Sequence, residues 1–231
     1  MSILYSEIYE KAIALFDDPR ITQAYKKNDI QFDKLMYTFL QNSIGLFNNP
    51  ARIGFLLANN TKPEGKMEIF ESDGINSSYK LDENFEIREN SKFIFYINGT
   101  TTNGQLDKEN KTVIFDAQLP TGQEYAFEQY YVGEFLDDFS SISSSEEARM
   151  SIVAQIKDIL SRLLVKSWAE SKRNFLLDIQ NMMTDTDFSL SSNSPILNSK
   201  NSWINQLDSE VLQMQNKLAW QIRFAKGNQW G

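Results

Sequence analysis

Cysteine and histidine are both missing from this sequence. Without cysteine there is no disulfide, no thiolate nucleophile and no sulfur ligand for a metal. Without histidine the commonest general base and the commonest zinc ligand go as well. The two absences together remove most hydrolase and metalloenzyme designs. No P-loop, G-x-G-x-x-G or G-x-S-x-G motif occurs, and no cofactor or metal is expected. No apolar run approaches the ~20 residues that span a bilayer. The opening "MSILYSEIYEKAIALF" has acidic residues and no basic segment before its apolar positions, so it is not read as a signal peptide. A soluble chain made in a cytoplasm is expected, with its N-x-[ST] sites, Asn59, Asn76 and Asn98 among them, unmodified.

What is present is ordinary for a folded protein. At 231 residues, 41% hydrophobic and 23% charged, the chain can bury a core in one large domain or two small ones. Its net charge of −8 is unevenly spread. Residues 51–139 hold 8 basic and 16 acidic residues, while the remainder is balanced at 15 of each. A protein that grips nucleic acid by its phosphates shows the opposite imbalance. This one is expected to repel DNA, or at most to tolerate it.

Both outer parts read as helix. Ile3 to Phe16 forms a short helix ended by Asp17-Asp18-Pro19. Phe32, Leu35, Met36, Phe39, Leu40 and Ile44 then share one helical face, and Asn49-Pro50 closes this opening. From Lys66 the period changes. "KMEIF", "NFEIREN", "KFIFYING", "KTVIFDAQL" and "EYAFEQYYVG" read as about five strands, separated by turns at Asp73-Gly74, Asn98-Gly99, Asn103-Gly104 and Thr121-Gly122. Helix resumes at a capping box of Ser144 and Glu147. Ile152, Val153, Ile156, Ile159, Leu160, Leu163, Leu164 and Trp168 keep helical spacing, and a shorter helix carries Phe175, Ile179, Met182 and Met183. In the last helix Ile204, Leu207, Val211, Met214 and Leu218 follow a 3, 4, 3, 4 spacing, as in a coiled-coil seam. The expected fold is α+β. A helical bundle domain from residues 1–50 and 140–231 carries an inserted acidic antiparallel β-module, 51–139.

Few residues suggest chemistry. Glu86 with Glu89, Asp116 with Glu124, and Asp137 with Asp138 are acidic pairs of the kind that can run acid/base reactions, though solvated strand faces and turns explain them too. "DTDFSLSS" offers calcium ligands at Asp185, Asp187 and Ser189, but Leu190 and Ile196 stand where an EF-hand needs Gly and Glu. Arg162, Lys166, Lys172 and Arg173 form a basic patch on the long helix. Tyr130 and Tyr131, in "EQYYVGEF", point to opposite faces of a regular strand.

One stretch breaks the helical pattern: "TDTDFSLSSNSPILNSKNSW", Thr184 to Trp203. Its Asp and Ser side chains compete for backbone donors and favour turns and caps over helix. Phe188 is placed to anchor such a connection in the helical core, with Asn201 or Ser202 capping the helix that follows. A helix ending at Trp168, then "RNFLLDIQNMMTDTDFSLSSNSPILNSKNSWINQLDSEV", resembles the tail of the head–tail connector (neck, adaptor or head-completion) proteins of tailed bacteriophages. "DKLMYTFLQNSIGLF" looks like that family's N-terminal helix, and "YAFEQYYVGEF" is similar to the strand before its third helix. The turn carries Ser194-Pro195 where members often have Ala-Asn.

The resemblance implies a non-enzymatic virion protein. About twelve copies would form a ring beneath the portal, surround the DNA exit channel and join the portal to the next neck or tail protein. DNA would pass without sequence-specific binding, and an acid-rich module beside the conduit would keep phosphate from sticking over a Debye length of about 8 Å. For docking to the portal or between subunits, the last helix offers Leu207, Val211, Met214, Leu218, Trp220, Phe224 and Trp230. The alternative is a host-surface glycan- or protein-binding virion module. There Phe93, Phe95, Tyr96 and Tyr130 of the β-insert would stack on sugars.

Overall fold

The computed structural model describes residues 2–16, 18–27, 30–143, 145–184 and 194–227, with side chains described outside 176–196 and 225–231. In chain order the elements begin with β1 (Ile3–Leu4), α1 (Tyr5–Ile13), α2 (Pro19–Lys26), α3 (Ile30–Gly45) and α4 (Ala51–Leu57). Then come β2 (Glu64–Glu71), β3 (Ser78–Lys80), β4 (Ser91–Ile97), β5 (Thr100–Thr102), β6 (Gly104–Asp107), β7 (Thr112–Phe115) and β8 (Glu124–Tyr131). The chain finishes with β9 (Glu134–Phe135), α5 (Glu146–Thr184) and α6 (Ser194–Gly227). The fold is mixed α+β, and it divides into two compact units, 1–61 with 134–231, and 62–133. The division falls inside the expected boundaries at 51 and 139. Helix α4 and the 134–139 segment therefore belong with the helices and not with the β-unit.

In the helical unit α5 packs against α1, α3 and α6. That many neighbours demand an apolar surface around much of the helix. Ile152, Val153, Ile156, Ile159, Leu160, Leu163, Leu164 and Trp168 are all buried. Ion pairs fix α1 on α5 from its polar side, Lys157 to Glu7 at 2.6 Å and Lys11 to Asp158 at 2.5 Å. Glu7 also accepts the Leu4 backbone N–H at 3.1 Å, which caps the start of α1. The chain leaves this unit and re-enters it at one point: Thr61 N–H donates to the Glu134 carbonyl at 2.9 Å, and Glu134 N–H to Thr61 Oγ1 at 3.0 Å.

Four local expectations change. Ile3 and Leu4 are strand, paired with Phe135 and Glu134, so the first helix starts at Tyr5. Pro19 begins α2 as well as barring the helix before it. It needs no N–H at the first helical position, and Asp18 caps the helix by accepting from the Arg20 N–H at 3.0 Å. Pro50 likewise precedes a helix, α4, where a stop was expected. The long helix runs unbroken to Thr184, through the break expected after Trp168. Ser144 lies outside the described residues. The neighbouring Ser145 hydroxyl accepts the Ala148 N–H at 3.4 Å, which puts the cap there.

The second unit is two antiparallel sheets, ordered β2-β8-β4-β5 and β3-β7-β6. Leu81, Phe85, Phe95, Val113, Phe115, Tyr125 and Phe127 form its core. The β4–β5 hairpin turns at Asn98-Gly99, both at positive φ (48° and 75°), as a two-residue turn requires. "NFEIREN" is not a strand, although it alternates like one. Buried Gln129 holds it by its side-chain amide: Oε1 accepts the Arg88 N–H at 3.1 Å, and Nε2 donates to the Glu86 carbonyl at 2.9 Å. Tyr125 performs a similar task at 117–119. Its hydroxyl donates to the Ala117 carbonyl at 2.7 Å and accepts the Leu119 N–H at 2.8 Å. Tyr125→Phe deletes both bonds without changing the ring. We expect it to cost about 1–2 kcal/mol in urea denaturation, and an unchanged midpoint would mean the hydroxyl is dispensable.

Candidate functional site

Helices α5 and α6 run antiparallel. Polar and aromatic contacts set their register: Gln155 with Gln221, Arg162 with Glu210, Lys166 with Asp208, and Trp168 with Trp203. Three residues of the expected basic patch are spent here. Arg162 bonds Glu210 at 3.2 Å, Lys166 bonds Asp208 at 2.5 Å, and the Lys172 ammonium lies over the Trp168 ring. Glu210 is held below the usual carboxylate range by the Gln206 side-chain donor first and by Arg162 second. These cations are partnered within the chain and are not arranged for phosphate.

The buried face of α6 comprises Leu197, Ile204, Leu207, Val211, Gln215, Leu218 and Ile222. Leu207, Val211 and Leu218, expected at an interface with portal or neighbour, are therefore interior residues of this chain. Met214 is only half-buried, and Gln215 takes the inward position instead. Gln215 is satisfied there: it accepts the Asn49 N–H at 3.1 Å and donates to the Leu46 carbonyl at 3.4 Å, which ties α6 to the turn after α3. Asn201 and Ser202 lie inside α6 and cap nothing.

The opposite face of α6 is where the apolar surface is exposed. Trp220 is 58% and Phe224 66% accessible, and their rings stack one turn apart at 5.8 Å and 23°. Leu212, two turns earlier and about a quarter-turn round the helix, is 59% accessible. Two large aromatics on a helix this well anchored form a rigid apolar ridge. Phe188 and Trp230 lie outside the described residues, as do Asp185, Asp187 and Ser189 of the calcium-like stretch.

A second apolar feature of this unit was not legible in the sequence. Ile21, Phe32, Leu35, Phe39, Trp168 and Phe175 line a groove of about 540 Å³. At its rim Arg20 bonds both carboxylate oxygens of Asp18 at 3.2 Å, which holds that carboxyl below its ordinary range. The groove draws on α2, α3 and α5 together, so no single periodicity reveals it. The stripe expected on α3 is in fact shared: Met36 and Leu40 go to the core, Phe32 is buried at the groove, and Leu35 and Phe39 border it.

The remaining candidates resolve as structural. Glu86, Glu89, Asp116 and Glu124 are exposed. Asp137 and Asp138 accept the Phe139 and Ser140 N–H groups at 2.6 and 2.9 Å and shape a turn. Among the described residues no three acidic side chains are grouped to hold a metal ion. Phe93 and Phe95 both pack on Phe127 in the β-unit, and Tyr130 is buried. Tyr131 is buried too, beneath the Arg88 guanidinium at 5.5 Å. Of the four aromatics offered for sugar stacking Phe93 and Tyr96 are left part-exposed, Phe93 against Phe127 and Tyr96 with its hydroxyl bonded to Glu128 at 2.7 Å. No described helix is long and apolar enough to cross a membrane. In comparisons with known proteins, no family model, curated protein or solved structure matches this chain.

Proposed function

We propose that this chain is a structural virion protein of a tailed phage, a head–tail connector that forms a ring of about twelve copies beneath the portal, surrounds the DNA exit channel and joins the portal to the next neck or tail protein. The observation that carries the proposal is the Trp220–Phe224 ridge. Among the described residues these two aromatics are exposed and stacked on one another near the end of a helix packed along α5. Aromatic anchors of this kind dominate the energy of many interfaces. The resemblance of residues 1–50 and 125–225 to connector proteins supports the same reading, as does the acidic excess of the inserted segment, which suits a part beside moving DNA.

The docking surface is thereby narrowed to Trp220 and Phe224, with the residues that follow them, and excludes the buried seam. In light scattering with the portal protein of the same phage, the full chain is expected to form a defined complex. Trp220→Ala with Phe224→Ala, neither of them a core change, should weaken it by about a hundredfold, and deletion of 225–231 should abolish it. Undiminished binding by both variants would refute this surface.

A further inference from the structure

Strand β2 is an edge strand, and its outer edge is well defined. Ser72, just beyond it, donates its N–H to the Gln123 carbonyl and accepts the Gly122 N–H, so its backbone groups face β8. On the far side of β8, the Glu124 carbonyl accepts from the N–H of Asn98, just after β4, which fixes the same parity from the other direction. Backbone groups alternate along a strand. Those of Glu64, Lys66, Glu68 and Phe70 therefore bond β8, while those of Gly65, Met67, Ile69 and Glu71 point away from the sheet. Met67 and Ile69 are also 51% and 61% accessible. A long edge with exposed apolar side chains is a template for another strand unless something covers it.

We infer that the cover is β2 of a second copy, paired antiparallel about a two-fold axis at Met67. Backbone hydrogen bonding and charge together select this register. With Met67 opposite Met67, Gly65 faces Ile69 on each side, and these pairs exchange about six backbone hydrogen bonds. Lys66 then falls opposite Glu68 twice, in the closer non-bonded positions where side-chain charges interact best. The neighbouring registers fail. Centring on Lys66 sets Lys66 against Lys66 and Glu64 against Glu68, and centring on Glu68 sets Glu68 against itself. Centring on Gly65 pairs Lys66 with Glu64, but it brings Pro63, which has no N–H, opposite Met67 and leaves about four backbone hydrogen bonds in place of six. Centring on Ile69 leaves Lys66 facing Ser72 and makes no ion pair. Lys66 and Glu68 are already oriented by the β-unit, Lys66 over the Phe85 ring at 4.4 Å and Glu68 bonding the Asp82 N–H at 3.2 Å. The contact is isologous, so it joins copies in pairs and goes no further. It describes the free chain and is independent of the connector ring proposed above.

Sedimentation equilibrium of the full chain tests this, with circular dichroism melts to confirm that each variant is folded. The wild type is expected to dimerise. K66E and E68K should each weaken the dimer by about tenfold or more, since each turns two attractive pairs into two repulsive ones. The exchange K66E/E68K should restore it. Met67→Pro removes an outward N–H without taking a bond from β8 and should leave a monomer. A wild type still monomeric at about 100 µM would overturn the inference. So would association indifferent to K66E, E68K and Met67→Pro, or folded K66E/E68K that stays monomeric while the wild type pairs.

Discussion

Trp168→Ala is expected to lower the stability of the helical unit by about 3–5 kcal/mol, the range for deleting a buried aromatic. Trp168 is 2% exposed where three helices meet. Its ring packs edge-on against Phe16 at 5.1 Å and Trp203 at 6.2 Å, and the Lys172 and Lys200 ammonium groups lie over it at 6.0 and 5.2 Å. Each aromatic pair adds to what simple burial of the ring supplies. The vacated volume also opens directly into the neighbouring groove, so little of it can be refilled by collapse from that side. Urea denaturation followed by far-UV circular dichroism reads the loss. A change below about 1 kcal/mol would show that the contacts converging on this indole do not hold α5 to α6. Trp168→Phe keeps a ring in place and should cost distinctly less.

Phe127→Ala is expected to produce a loss of the same size, about 3–5 kcal/mol, in the β-unit. The residue is fully buried on β8, the strand that pairs with both β2 and β4. Its ring meets Phe85 and Phe93 at 5.9 Å and Phe95 at 5.5 Å. Those contacts bring together a loop, a neighbouring strand and the strand itself, so removing their common member loosens all of them. Amide hydrogen exchange is the suitable measurement, because it reports each element separately. Exchange should accelerate along β2, β4 and β8. Unchanged protection there would contradict the assignment of Phe127 to the centre of this core.

The parts legible in the sequence were those where one element follows one rule. Along α5 the apolar spacing identified eight buried residues, from Ile152 to Trp168. Strands β7 and β8 fell within the expected segments and β2 and β4 overlapped theirs, and the Asn98-Gly99 turn was recognisable from its two residue types. Misreadings arose where a residue serves two elements or a side chain replaces a backbone partner. Pro19 and Pro50 were taken as stops, although proline at a helix start is as natural as proline after an end. Residues 84–90 alternate as a strand does, but they bond the Gln129 amide and not a neighbouring ladder. On α6, spacing alone cannot say whether an apolar stripe meets its own chain or another. Leu207, Val211 and Leu218 turned inward for that reason, and Trp220 and Phe224 stayed out.

The acidic character of the inserted segment follows the same division. Its carboxylates were read as solvated faces and turns, and those of Asp73 and Asp107 each accept two backbone N–H groups in tight turns. These hydrogen bonds, led by the Asn76 backbone at Asp73 and the Asn110 side chain at Asp107, hold both carboxyls below their usual range. Both therefore stay ionised under mildly acidic conditions, and the negative surface is built into the turns that shape the sheets.

Immunogold electron microscopy of intact virions, with antibody raised against this chain, tests the connector proposal most directly. Label concentrated at the single vertex where head meets tail is the predicted result. Label at fibre tips or along the tail shaft, or virions that carry none of this chain, would contradict it.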